Sequence, residues 1–454
     1  MSKDALPQSS QPTEINCGNK SKEMDTDFLT HIEDYLQQCQ EQGEKVRLHS
    51  VDMKSLFLPS VETVGKRLGG RFSFVNTLST VEDYSGVTLK MSRSGRYSLA
   101  SRKGTTVVSA SKFLSWLKVI AAPFFSSQSR QTMEYVTRAS KVSSTAADWI
   151  MNVNSFESGF KFASVNLSHE FYPLFDYISK RCDADVCQRE ETKRQTDASY
   201  IDDKNLKSAW LQYMPLWSEH SLVSKARLSE LTKVISRMTM DGQQVNKELM
   251  TDTDKLSYLR CYFALHFDFY FGAMASFEVG LKLFYTKDVE QMKAQKGILC
   301  RSLNAYVSEP QIKSCFGALL DELKDEVSQL VGSIGYRKMA SFIPVEVDSS
   351  KEESHKLSQK QYDRLRSWRS GKDSPSDDLL NQFLDNLAGY AGKSNGAPIR
   401  MVCRIAISID KEIKQLLKAS KQDYANPADV EHELIQVLAD YDRYYQACLN
   451  HYID

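Results

Sequence analysis

The sequence has no excess of charge of either sign, because its 58 Lys and Arg residues equal its 58 Asp and Glu residues. A protein without net charge does not draw nucleic acid or an anionic membrane to itself through its overall field, so such a partner must be bound by a local patch. Cysteine is sparse as well, with nine scattered residues in a chain of 454. An odd, scattered set is unlike the disulfide framework of a small secreted domain. The N-terminus also lacks the apolar segment of a secretory signal, and we therefore expect a cytoplasmic protein with free thiols.

The sequence has no long hydrophobic run that is free of charge. Its most apolar stretch, Leu256 to Tyr285, contains charged residues that are costly at bilayer depth: Arg260, Asp268, Glu278 and Lys282. Aromatic residues cover nearly the whole circumference of this stretch when it is drawn as a helix, which is typical of a helix at the centre of a large domain. We predict a buried core helix here and no contact with a membrane.

Motifs for nucleotide, metal and nucleophilic chemistry are missing. The sequence contains no Gly-x4-Gly-Lys-Ser/Thr phosphate loop, no Gly-x-Ser-x-Gly elbow and no His-Glu-x-x-His pair. Cys182 and Cys187 have no second pair at the spacing of a zinc site. We therefore predict no catalytic residue, no bound metal and no cofactor, and a role other than catalysis is favoured. A site assembled from distant segments near the 256–285 helix stays open as the enzymatic alternative.

Apolar residues spaced by three or four predict a mainly α protein built of multi-helix bundle domains. One small antiparallel β region is predicted near residues 70–108, because β-branched runs such as Val87–Met91 and Thr105–Val108 are punctuated by glycines there. Within it, Arg93–Arg96 has the composition of a hairpin turn. Helical periodicity is predicted again at 129–152, 205–214, 221–240, 253–285, 287–305 and 309–332.

Composition shifts divide the chain into five segments. These are a disordered tail (1–25), a small α+β domain with a basic hairpin (26–125), a central helical domain (126–343), a linker (344–356) and a C-terminal helical domain (357–454).

A basic run covers residues 85–120, which contain no Asp or Glu, and aromatic residues are interleaved with its cations. A hairpin with arginine at its tip could lie along phosphates, and binding of that kind depends on salt. The candidate residues for nucleic-acid binding are Lys90, Arg93, Arg96, Arg102 and Lys103. The alternative is a solvated basic face that pairs with acidic segments elsewhere in the chain.

The most specific local pattern runs from Trp368 to Ser376. Gly371 is suited to the left-handed conformation that closes a helix, and Ser374 and Pro375 are suited to the cap and first residue of the next helix. This stretch resembles the end of the recognition helix and the start of the next helix in the lambda-repressor-like (Xre-type) helix-turn-helix family, over about residues 357–388.

The resemblance implies that the helix before Trp368 could enter a major groove. It assigns base or phosphate contacts to positions on or near that helix: Gln359, Lys360, Gln361, Asp363, Arg364 and Arg366. Arg369 and Lys372 complete the candidate nucleic-acid-binding set. The alternative is a structural helix hairpin with Trp368 in the core.

Together, the two basic segments predict a DNA-associated regulatory or accessory protein of a bacterium or mobile element. The alternative is a non-enzymatic helical adaptor or structural protein that acts through protein partners or as a homo-oligomer.

Overall fold

The computed structural model describes residues 41, 56–67, 78–79, 82, 86–100, 105–121, 135–136, 138–139, 142–162, 168–196, 214–237, 240–241, 244–245, 251–286, 288–345, 353–394, 396–420 and 426–453. The prediction of a mainly α protein is confirmed. The helices are α1 Val61–Arg67, α2 Arg93–Ala100, α3 Val107–Ala121, α4 Ser144–Phe162, α5 Ser168–Thr196, α6 Lys225–Arg237, α7 Asp252–Tyr285, α8 Val289–Ala294, α9 Ile298–Ser308, α10 Cys315–Val331, α11 Tyr336–Ala340, α12 Glu353–Arg369, α13 Asp377–Tyr390, α14 Ala397–Ser420, α15 Pro427–Leu438 and α16 Tyr441–Ile453. A short antiparallel ladder pairs β1 (Met240–Asp241) with β2 (Gln244–Val245).

The centre of the fold is α7, and the predicted core helix is confirmed there. Thr251 caps its N-terminus by accepting a hydrogen bond from the backbone N–H of Asp254, and Lys282 lies in its last turn, where a cation is favourable. An unbroken run of buried residues occupies its middle, from Phe263 to Gly280. None of the described helices has the length and apolar character needed to cross a membrane.

Two glycines allow α5 to pack closely on α7. A Cβ added at Gly272 would meet the Tyr177 ring at 2.2 Å, and one added at Gly280 would lie 2.0 Å from the backbone oxygen of Glu170. Because real Cβ contacts are never that short, both positions require the absence of a side chain. The close approach of α5 to α7 therefore depends on glycine at both positions.

Two helices begin at carboxylates that other helices supply. The Glu278 carboxylate, on α7, accepts a hydrogen bond from the N–H of Leu299 at the start of α9 (2.6 Å). The Asp410 carboxylate, on α14, accepts hydrogen bonds from the N–H groups of Cys315 (2.7 Å) and Phe316 (3.0 Å) at the start of α10. Both carboxylates are buried, and the free N–H groups and dipole of a helix N-terminus compensate part of that cost.

Buried apolar side chains from Phe57 to Leu449 form a contiguous core cluster. It includes residues on both sides of the predicted linker at 344–356, because α7 packs against α15 and α16, and α10 packs against α12 and α14. Residues 346–352 lie outside the described residues, so the linker and the five-segment division stay predictions. The predicted tail, residues 1–25, lies outside them as well.

The β region predicted near residues 70–108 is wrong for the described part of that range. Arg93–Arg96 begins α2 and is not a hairpin turn, and Val107 and Val108 lie in the first turn of α3. Val87–Met91 has no regular secondary structure, and the Met91 N–H donates to the backbone oxygen of Leu89 at 2.6 Å.

The helices form there because side chains cap them. The hydroxyl of Ser92 accepts from the N–H of Gly95 (3.1 Å), and that of Thr106 accepts from the N–H of Ser109 (3.3 Å). An N-terminal cap contributes about 1 kcal/mol, whereas a β-branched residue loses roughly 0.7 kcal/mol or less relative to alanine in a helix. The Thr106 cap therefore offsets most of the helix cost of Val107 and Val108.

Two other predicted helices are each divided in two. The helix predicted at 287–305 is interrupted between α8 and α9, where Gly297 lies against Glu278. Apolar positions spaced by three or four residues also predict one continuous last helix: Val430, Leu434, Leu438, Tyr441, Tyr445 and Cys448. That helix is interrupted at Ala439 and Asp440, so α15 and α16 present their apolar faces to α7 separately.

Candidate nucleic-acid interface

In the basic run at 85–120, the predicted cations differ in their availability. Lys90 and Arg93 are exposed, and the Arg93 guanidinium lies 5.9 Å from the centroid of the Tyr97 ring, which is itself half exposed. Arg102 and Lys103 lie outside the described residues.

Arg96 has a structural role in this region. Its Nη2 donates to Glu82 Oε1 at 2.8 Å and to the backbone oxygen of Leu89 at 3.0 Å. The hydrogen bond from Arg96 lowers the pKa of Glu82, and only 15% of the Arg96 side chain is exposed. The alternative interpretation, pairing with an acidic segment, therefore holds for this arginine.

The N-termini of α2 and α3 border an open cavity of about 290 Å³. Hydroxyl groups line most of it: Ser92, Ser94, Ser98, Thr105, Thr106 and Ser109. Several of these hydroxyls bond to one another or cap the two helices, as in the Ser92–Ser94 (3.1 Å) and Thr106–Ser109 (3.1 Å) contacts. The cavity adds the positive ends of two helix dipoles to the cations of this segment.

The hairpin of α12 and α13 confirms the local geometry predicted from Gly371. This glycine has φ of 64°, its N–H donates to the oxygen of Trp368 (3.0 Å), and the next N–H donates to the oxygen of Ser367 (3.0 Å), which is a Schellman motif. The predicted cap is displaced by two residues, because Ser376 and not Ser374 caps α13, by accepting from Leu379 N–H. Trp368 is 1% exposed and contacts the Phe383 ring, so the hairpin is built around a core tryptophan.

Most of the predicted cations on and after α12 are exposed: Lys360, Arg364, Arg366 and Lys372. These four form no ion pair with another described residue. Gln361, by contrast, is buried, and its amide donates to the backbone oxygens of Ser341 (3.2 Å) and Ile343 (2.7 Å). It is therefore a core residue and is not placed to contact a base.

Arg369 is partly buried and held in place by neighbouring side chains. Its Nε and Nη2 donate to the two oxygens of Asp321 at 2.7 and 2.8 Å, and its guanidinium lies 3.8 Å from the centroid of the Tyr336 ring. Burial alone would lower the pKa of Arg369, but Asp321 raises it above its ordinary value. Burial and Asp321 also raise the pKa of Tyr336 to about 12. This ion pair fastens α12 to α10, and Arg369 is not free for a phosphate.

The helical repeat divides the α12 cations between two sides of the helix. Lys356, Lys360 and Arg364 are spaced by four residues and follow one side. Tyr362 and Arg366 follow the other side, next to α11, where the Arg337 guanidinium lies 4.9 Å from the centroid of the Tyr362 ring.

A set of cations and aromatic rings surrounds α11, and we call it the aromatic–basic surface. Its members are Arg337, Lys338, Arg366, Phe342, Tyr362 and Tyr390. The Lys338 ammonium lies 4.6 Å from the centroid of the Tyr390 ring and 5.1 Å from that of Phe342. The three cations are exposed, and Tyr390 is 39% exposed. Exposed cations beside accessible rings are the groups that nucleic-acid-binding surfaces combine.

Sequence reasoning missed five members of this surface, all except Arg366. The adjacent cations Arg337 and Lys338 were a weak signal, but the rings come from three separate segments of the chain. Only the packing of α11 against α12 and α13 brings them together, so no linear spacing could have revealed the set.

The polar groups of α7 that were candidates for chemistry are held within the core. His266 Nε2 lies 2.8 Å from Glu412 Oε1. Asp268 accepts from Arg181 (2.7 Å) and from the Tyr444 hydroxyl (2.6 Å). Because the two residues contact different helices, they do not form one site.

No group of three or more metal-ligating side chains that could hold a metal ion occurs among the described residues. Comparisons of the chain with protein-family models, with curated proteins and with solved structures find no match.

Proposed function

We propose that this protein associates with nucleic acid, binding the sugar–phosphate backbone through the aromatic–basic surface. The proposal keeps the DNA association predicted from the sequence, and places its main contacts on a partly different set of residues. The observation that carries it is the Lys338 ammonium over the Tyr390 and Phe342 rings, beside exposed cations that no carboxylate of the described chain neutralises.

The local excess of positive charge favours a phosphate-bearing partner. The exposed cations of the aromatic–basic surface are Arg337, Lys338 and Arg366, whereas the nearest exposed anion on α12, Asp363, accepts a hydrogen bond from Gln359 (2.9 Å). If all three cations neutralise phosphates, the logarithm of the binding constant should fall against the logarithm of salt concentration with a slope of about −2.1 for single strands. A protein with no net charge can have this property only through such a patch.

Fluorescence anisotropy with labelled oligonucleotides over a salt series tests the proposal. The R337E/K338E/R366E variant should bind at least tenfold more weakly than wild type and have a shallower salt slope, because three phosphate contacts are lost. A matched control carries the same charge change at exposed lysines of α6 and α14: K225E/K233E/K418E. The control should bind like wild type. Equal weakening in both variants would show that net charge, and not this surface, determines binding. Absence of binding at low salt would refute the proposal.

A second candidate is a protein that acts through a second copy of itself. An apolar patch at the C-terminal end of α7 favours it, where Tyr285 is 59% exposed, Phe284 is 42% exposed and Val289 is 44% exposed. Burying such side chains between copies would stabilise an oligomer. Light scattering of wild type and F284E/Y285E would show a mass that falls to that of the monomer in the variant; a monomeric wild type would exclude this candidate.

A further inference from the structure

We infer that the aromatic–basic surface takes single-stranded nucleic acid in preference to duplex, by stacking an unpaired base on the Tyr390 ring, which Phe342 supports. This inference rests on the proposed function and adds to it the strand state and the residues that contact a base.

The two rings form a platform held by the fold. Their centroids are 5.0 Å apart with an interplanar angle of 42°. The side-chain amide of Asn386, one turn before Tyr390 on α13, donates to the backbone oxygen of Phe342 at 3.0 Å and fixes the segment after α11 against α13. Tyr390 is 39% exposed, so it is reached from solvent without a rearrangement of the core.

Lys338 shields this platform in the free protein. Its side chain is exposed, and its ammonium lies 4.6 Å from the centroid of Tyr390. An exposed cation–π contact is weaker than the stacking of a base on an aromatic ring. A base can therefore replace the ammonium on the ring while Lys338 turns to the adjoining phosphate, and both partners gain an interaction.

Arg337 and Tyr362 repeat the arrangement on the neighbouring side of α11, at 4.9 Å. Tyr336 differs, because Arg369 covers its ring at 3.8 Å and is itself held by Asp321. The cations over Tyr390 and Tyr362 are thus exposed and unpaired with any described carboxylate, whereas the cation over Tyr336 is held by an ion pair.

A duplex cannot use such a platform. The faces of paired bases are covered by their neighbours in the stack, whereas an unpaired base offers a free π face regardless of its identity. The rings therefore predict a preference for single strands with little sequence selectivity.

The test measures anisotropy of the full chain with one 12-nucleotide sequence as single-stranded DNA, as single-stranded RNA, as duplex DNA and as a single strand with abasic positions. We expect Tyr390→Leu to weaken binding of the intact single strands by about fivefold or more, and to change binding of the abasic strand and the duplex much less. Tyr390→Phe should bind like wild type, because stacking needs the ring and not the hydroxyl. Tyr172→Leu removes another exposed ring, on α5, and should also bind like wild type.

The outcomes separate this inference from the proposed function. If no oligonucleotide binds, the proposed function fails and the inference with it. If duplex and single strand bind equally and Tyr390→Leu has no selective effect, the surface binds phosphates only and the stacking inference alone is overturned. Thermal unfolding of each variant, matched to wild type, establishes that a loss of binding is local.

Discussion

The wild-type protein should lose stability as the pH rises toward neutrality, and replacing Glu278 by glutamine should remove much of that loss. Burial raises the pKa of Glu278 to about 7 from 4.5, although the N–H groups of Leu299 and Cys300 and the Tyr441 hydroxyl oppose the rise. The folded state therefore binds this proton more tightly than the unfolded state. The stabilisation is complete below pH 4.5 and is lost as the pH rises through about 7.

The size of the effect follows from the difference between the two pKa values. At about 1.4 kcal/mol for each pH unit, a pKa of about 7 in place of 4.5 corresponds to roughly 3 kcal/mol over the whole titration. Between pH 5 and pH 8 the larger part of that should appear. Glutamine keeps an oxygen that can accept from Leu299 N–H, whose present distance to Glu278 Oε1 is 2.6 Å, so the cap of α9 should survive.

The assay is urea denaturation of wild type and Glu278→Gln at a series of pH values from 5 to 8. The difference in unfolding free energy between the two proteins should change by about 2 to 3 kcal/mol over that range, in favour of the variant at high pH. Asp385→Asn is the control. Hydrogen bonds from the Gly396 N–H and from Arg400 lower the pKa of Asp385, so it stays ionised throughout and its curve should run parallel to wild type. A constant difference between wild type and Glu278→Gln would refute the reasoning.

Two further predictions concern packing. In urea denaturation, Gly280→Ala should lower the free energy of unfolding by about 1 to 3 kcal/mol, because its Cβ would lie 2.0 Å from the backbone oxygen of Glu170. Gly389→Ala, at a helical position with open space around it, should raise that free energy by up to about 1 kcal/mol. An equal response of both variants would contradict the packing. Arg181→Met should lower the free energy of unfolding by about 3 to 5 kcal/mol, because Asp268 would stay buried without the cation that lies 2.7 Å from it. The double variant Arg181→Met/Asp268→Leu should be more stable than Arg181→Met alone. A larger loss in the double variant would show that the unpaired charge is not the cause.

The sequence predicted the helical class because apolar spacing follows the core directly. The run Leu256–Tyr285 became the central helix, and Gly371 closed α12 as its left-handed conformation requires. The β region failed because strand propensity is a local average, whereas single hydroxyls at Ser92 and Thr106 decided that helices begin there. Capping by a distant carboxylate, such as Glu278 at the start of α9, leaves no local trace in the sequence.

The candidate interface was predictable only in part. The helix-turn-helix resemblance marked Lys360, Arg364 and Arg366, and all three are exposed. The sequence could not show that Arg369 forms an ion pair with Asp321, because Asp321 lies on another helix. The rings around α11 were equally out of reach, because their proximity to Lys338 depends on how α11, α12 and α13 pack.

The most direct test of the central proposal locates the bound nucleic acid. Ultraviolet crosslinking of the full chain to a photoreactive single strand, followed by mass spectrometry, identifies the peptides in contact. The account predicts adducts on peptides that contain Phe342, Tyr362 or Tyr390, and their loss in R337E/K338E/R366E. Adducts confined to the segment of Arg93, Tyr97 and Trp116, and unchanged in that variant, would contradict it.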